Sequence, residues 1–143
     1  MDWPLRLHLV TLGVADVERA AKFYGALGLK RRLKKAEGVA FFDAGGVVIS
    51  LYGREALERD AGLEGLKSGF GGSSLAFNVS SEKAVDDALN AAENAGANIL
   101  KRGHRVFWGG YIGYFRDPEG HVWEGAHNPQ FPFNEHGQLV LPD

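Results

Sequence analysis

The stretch YFRDPEGHVWEGAHNP, Tyr114 to Pro129, carries the side chains best suited to chemistry. Glu124 falls within a strand-like run, where pleating sends alternate side chains to opposite faces and turns its carboxylate away from Trp123. A carboxylate so placed can ligate a metal, act as a general base, or simply complete a buried polar network. The first role needs partners. His121 and His127 stand at odd offsets from Glu124, so both face the other side of the strand. His136 lies far along the tail, and His104 opens a strand at its rim. The chain has no cysteine, which excludes thiolate zinc sites, disulfides and cysteine nucleophiles. There is no nucleophile–base pair and no dinucleotide fingerprint. The glycines at Gly69, Gly71 and Gly72 precede a strand, which fits a hinge better than a phosphate loop.

The elements that must position Glu124 come from a sequence that repeats itself. LHLVTLGVADVERAAKFYGALGL (Leu7–Leu29) matches SSLAFNVSSEKAVDDALNAAENAGA (Ser73–Ala97) in pattern. Each opens with an alternating strand and meets a capping residue, Asp16 or Ser81, able to accept from the free N–H groups of a helix start. A helix follows; in the second copy Val85, Ala88, Leu89 and Ala92 form its apolar stripe. Gly28 and Gly96 stand where each helix should end. Val39–Asp43, a turn at Ala44-Gly45-Gly46 and VVISLY parallel Tyr111–Arg116, the turn DPEG and HVWEGAH. Each half therefore reads strand, helix, three strands. Neither half can cover both faces of its own sheet. The expectation is a single domain over residues 1–143: module one at about 5–53, a linker at 54–72 with a short helix near Arg54–Asp60, module two at about 73–128, and a tail at 129–143.

Composition is that of an ordinary globular chain, with a net charge of −2. Residues 1–60 hold ten Lys/Arg against eight Asp/Glu, and most of the excess sits in LKRRLKK (Leu29–Lys35). A solvated edge strand, where lysines discourage edge pairing, explains that run better than a nucleic-acid patch. No apolar run is long enough for a membrane span or signal peptide. A cytoplasmic protein with neither nucleic-acid nor membrane partners is expected.

The doubled β-α-β-β-β pattern resembles the vicinal oxygen chelate superfamily, which includes glyoxalase I, bleomycin and fosfomycin resistance proteins and extradiol dioxygenases. LGVADVERAAKFYGALGL and GYFRDPEGHVWE carry the resemblance, which covers roughly residues 5–128. It implies an α+β fold in which two β-α-β-β-β modules form a curved, incompletely closed mixed sheet, the glyoxalase/bleomycin-resistance fold. It also implies a homodimer and a small-molecule ligand.

In metal-dependent members, as the resemblance implies, ligands come from the first and last strands of each half. Here those positions hold Leu9, Ser50, Ser74 and Glu124. Leucine has no donor and serine is a weak ligand, so no metal and no cofactor are expected. His8, next to Leu9, faces the other way unless a one-residue bulge turns it inward. The resemblance further places Tyr114, ten residues before Glu124, on the same face, and parity adds Arg116. From the first half Phe41, Ser50 and Tyr52 look inward. Trp108 and Tyr111, flanking Gly109-Gly110, either form a lip or fill a bent strand. The expected cavity thus has Phe41, Ser50, Tyr52, Ser74, Trp108, Tyr111, Tyr114 and Arg116 as ligand-binding residues, with Glu124 as the candidate catalytic base. A metal-free protein binding a partly aromatic or cationic compound is the favoured reading. The alternative is a metal-dependent lyase, isomerase or dioxygenase with a displaced ligand set.

Overall fold

The computed structural model describes residues 7–63, 65, 69–71 and 73–141 of the chain. Chain contacts divide it into two units, residues 1–67 and 68–143. Each unit packs a helix on a four-stranded mixed sheet, so the class is α+β.

The first unit runs β1 (Leu9–Val14), α1 (Val17–Ala26), β2 (Lys30–Arg32), β3 (Val39–Asp43), β4 (Val48–Gly53) and α2 (Arg54–Ala61). Its sheet order is β1-β4-β3-β2, with β1 parallel to β4 and the other pairs antiparallel. Asp16 caps α1, accepting from the Arg19 N–H at 3.0 Å. Beyond the helix end Gly28 takes φ 95°, a conformation that glycine adopts freely. Phe23 and Tyr24 of α1 are buried, as are the cross-strand pairs Ala40–Leu51 and Phe42–Ile49. Those four strand residues form the face under α1. Parity assigns Leu9, Thr11, Gly13, Phe41, Val48, Ser50 and Tyr52 to the opposite face. The basic run supplies β2 at the sheet edge, where Arg31 makes a two-point ion pair with Glu18 of α1 at 2.8 and 2.9 Å.

The second unit runs β5 (Leu75–Asn78), α3 (Glu82–Asn94), β6 (Asn98–Arg105), β7 (Tyr111–Arg116) and β8 (Val122–His127), with sheet order β5-β8-β7-β6. Ser81 caps α3 through the Ala84 N–H at 3.0 Å. Val85, Leu89 and Ala92, three of the four residues of the anticipated stripe, are buried on the sheet. At the sheet centre Gly113 and Gly125 are cross-strand partners. A Cβ added at Gly113 would lie 2.4 Å from Leu89 Cδ1, so the helix rests directly on bare backbone. Phe77, Phe115 and Trp123 pack on the same face, with Phe115 and Trp123 stacked at 6.4 Å between ring centroids. Trp123 therefore faces the core and Glu124 faces away from it, as the alternation requires.

The DPEG turn that joins β7 to β8 is built by Asp117. Its buried carboxylate accepts from the Glu119 and His121 N–H groups at 2.9 and 2.8 Å. In the tail, Asn134 accepts from the His136 and Gln138 N–H groups, and Phe133 bridges to Leu139. Among the described residues no helix is long and apolar enough to cross a membrane.

Candidate functional site

The register of the β7–β8 hairpin sets Tyr114 directly across from Glu124, and that of β5 sets Ala76 on the other side. All three share the sheet face away from α3. Tyr114 donates its phenolic proton to Glu124 Oε2. This hydrogen bond holds the phenol's pKa above its ordinary value, with burial and the carboxylate's charge adding to the shift. The raised value stabilises the fold fully below the ordinary phenol pKa of about 10 and is lost as pH rises through the folded value. The difference in tyrosinate absorbance between wild type and Tyr114→Phe is expected to titrate above about 10. A difference curve centred at or below that value would mean the bond does not exist in solution.

The first unit holds the same socket with other chemistry. Ser50, the register counterpart of Glu124, lies between Thr11 on β1 and Phe41 on β3. Ser50 is 4% exposed, and its hydroxyl sits 3.1 Å from the Thr11 hydroxyl. Thr11 was not anticipated, although it shares parity with Leu9 and the signal was therefore available. Tyr52, on the same face, donates to Asp60 of α2 at 2.9 Å. At that end of the face a Cβ on Gly13 would lie 3.2 Å from Leu57 Cδ2, so α2 covers it. Asp60 carried no signal in the sequence, because nothing local says that α2 folds back onto its own sheet.

Other expected residues stand apart from the Tyr114–Glu124 pair. Arg116 shares its face by register with Val122 but is exposed and makes no ion pair with Glu124, so the phenol is what satisfies the carboxylate. Ser74 is exposed and precedes β5, outside its register. Tyr111, expected at a lip, belongs to the helix face, where its hydroxyl donates to Asp86 of α3 at 2.8 Å. Trp108 lies at the β6–β7 turn, 40% exposed, with its ring against Gly110. His8 is exposed just before β1, and His127 bonds the Val79 carbonyl oxygen through Nδ1.

Among the described residues no three of His, Cys, Asp and Glu are grouped to hold a metal. Of the positions expected to hold ligands, Leu9 and Ser50 in the first unit give a hydrocarbon and a hydroxyl, and Ser74 and Glu124 in the second give a hydroxyl and one carboxylate. That set does not fit a resident transition metal, for which about three nitrogen, sulfur or carboxylate ligands are usual.

Comparisons with known proteins add to this geometry. The profile of the Glyoxalase/Bleomycin resistance protein/Dioxygenase superfamily matches residues 6–124. The chain is 29% identical over 119 residues to the metallothiol transferase FosB of Shouchella clausii (strain KSM-K16), a match spanning 82% of this chain and 77% of that protein. It resembles the crystal structure of a glyoxalase-related enzyme from Fulvimarina pelagi with a TM-score of 0.87 and 30% identity, covering 96% of this chain and 99% of that one. It also resembles the lactoylglutathione lyase of Agrobacterium tumefaciens with a TM-score of 0.66 and 26% identity, covering 87% and 95% of the two chains.

Proposed function

Because the chain belongs to the Glyoxalase/Bleomycin resistance protein/Dioxygenase superfamily, we propose that it binds a small, partly aromatic or cationic molecule on the sheet face that carries Tyr114 and Glu124. The observation that supports this reading is a single carboxylate set among Ala76, Ile112, Val122 and Ala126 on that face, with one oxygen already fixed by a phenol. Among the described residues no side chain bonds Oε1, which leaves it to accept from a ligand N–H. An ammonium or amidinium group suits that acceptor, and the phenol ring offers a π face for a cation. Tyr114 holds the carboxylate in place, so little side-chain freedom is lost on binding.

Calorimetric titration with benzamidine as probe is expected to give saturable binding that is indifferent to chelator. Glu124→Gln should weaken it by about tenfold or more, the scale of a lost charge-assisted hydrogen bond. Binding that vanishes with chelator would replace this reading with the second one, a metal-dependent lyase, isomerase or dioxygenase with a displaced ligand set. The metallothiol transferase among the relatives favours that alternative, but it requires donors beyond Leu9, Ser50 and Ser74.

A homodimer belongs to the same proposal. Phe133, Leu139, Val140 and Leu141 leave apolar surface exposed on the tail, and burying such a patch is a common reason to associate. Light scattering should give a dimer mass for the full chain and a monomer mass after removal of residues 129–143. An unchanged mass would take the tail out of the interface.

A further inference from the structure

The open face of the second sheet carries more charge than its carboxylate accounts for. Its ionisable side chains, by register, are Glu124 of β8, Tyr114 and Arg116 of β7, and Lys101 and His104 of β6. With the imidazole neutral, two cations stand against one anion. Lys101 joins this face through an irregularity in β6. Asn98 pairs with Arg116 and Ile99 with Phe115, so an unbroken count would set Leu100 against Tyr114. The register shifts at that point and Lys101 takes the place, the kind of re-aiming that a bulge produces. Tyr114 therefore has Glu124 on one side and Lys101 on the other, with Arg116 two residues along its own strand. Diagonal neighbours of this kind stand roughly 7–8 Å apart, within reach of long side chains.

The two faces of the sheet treat their cations differently. On the helix side Arg102 bonds Asn90 and Glu93 of α3, and Arg105 bonds Glu82. On the open side neither Lys101 nor Arg116 has a hydrogen-bond or ion-pair partner among the described residues, although Glu124 is diagonal to Arg116. Glu124 takes the Tyr114 proton instead. The phenol thus holds the acid near two bases without letting them neutralise one another, and an acid and a base kept apart in this way complement a molecule that carries both charges.

We propose that the ligand of this face is a zwitterion, an α-amino acid with an aryl side chain. Its ammonium donates to Glu124 Oε1, its carboxylate lies between Arg116 and Lys101, and its side chain rests on the Tyr114 ring. The proposal rests on the reading of this face as a ligand site and narrows it. The guanidinium offers two parallel N–H groups to a carboxylate, and the lysine adds a mobile charge. A ligand bearing a cation alone would meet a net positive surface, whereas a zwitterion brings the anion that offsets it.

Calorimetric titration with L-phenylalanine and with phenethylamine, the same molecule without its carboxylate, tests the proposal. In the wild type phenylalanine is expected to bind about tenfold more tightly or better, the scale of a charge-assisted hydrogen bond. Arg116 and Lys101 are exposed, so replacing them leaves the fold alone. Arg116→Gln/Lys101→Gln should bring the ratio of the two affinities to about one, and Glu124→Gln should weaken both ligands. The proposal is overturned if the wild type binds phenethylamine as tightly as phenylalanine, or if the preference survives in Arg116→Gln/Lys101→Gln. In both of those cases phenethylamine still binds, and the reading of the face as a cation site stands. If neither compound binds, that reading falls together with the proposal.

Discussion

Gly113→Ala is expected to destabilise the protein by about 2–3 kcal/mol, although alanine replaces glycine without penalty in most strands. The added methyl would fall 2.4 Å from Leu89 Cδ1, 3.0 Å from the Lys101 carbonyl oxygen and 3.2 Å from the Gly103 nitrogen. Leu89 is 1% exposed, so it cannot swing out into solvent to make room. Either α3 must rise off the sheet or the β6–β7 pair must spread. Leu89→Ala alone should cost about 2–5 kcal/mol through the cavity it leaves. The informative variant is the double one. Removing the leucine's branches makes room for the new methyl, so Gly113→Ala/Leu89→Ala should be less damaging than the sum of the single changes by about 1–2 kcal/mol. Urea unfolding of the four proteins gives the coupling directly. Strict additivity would mean that the helix does not rest on the sheet backbone as described.

Phe42→Ala should cost about 3–5 kcal/mol, a large share of the roughly 5–15 kcal/mol that holds a domain of ordinary stability together. Phe42 is 2% exposed and lies under α1, with its ring centroid 6.3 Å from that of Tyr24. Tyr24 in turn meets Phe23 edge-on at 5.0 Å. Deleting the ring removes the centre of the first unit's core. Phe42→Leu keeps most of the volume and should cost about 1 kcal/mol. The urea midpoints of the two variants separate these expectations. Equal midpoints would show that this core tolerates the loss by collapsing around it.

What the sequence made legible was local or periodic. Asp16 and Ser81 announced helix starts because a cap acts within three residues. The family resemblance, not the local pattern, set Tyr114 on the face of Glu124; in the structure the two pair across a hairpin whose turn the Asp117 carboxylate locks. Alternation then separated Trp123 from Glu124 without any knowledge of the rest of the chain. What remained hidden depended on where helices dock. Tyr111 turned to Asp86 on α3, and Tyr52 to Asp60 on α2. Each of those contacts joins a strand to a helix whose placement no local pattern encodes. Arg116 shares the face of Glu124 by parity, but a side chain at a strand end reaches solvent more readily than it reaches back along its own face.

The matched trios Thr11–Ser50–Phe41 and Ala76–Glu124–Tyr114 have a consequence for how such a chain can change over generations. A duplicated scaffold provides a spare. One copy can settle into quiet hydroxyl pairing while its twin keeps an acid at the ready, and neither has to compromise for the other. A substitution at Ser50 could then bring new chemistry to the first unit without touching the bond that Tyr114 makes to Glu124 in the second.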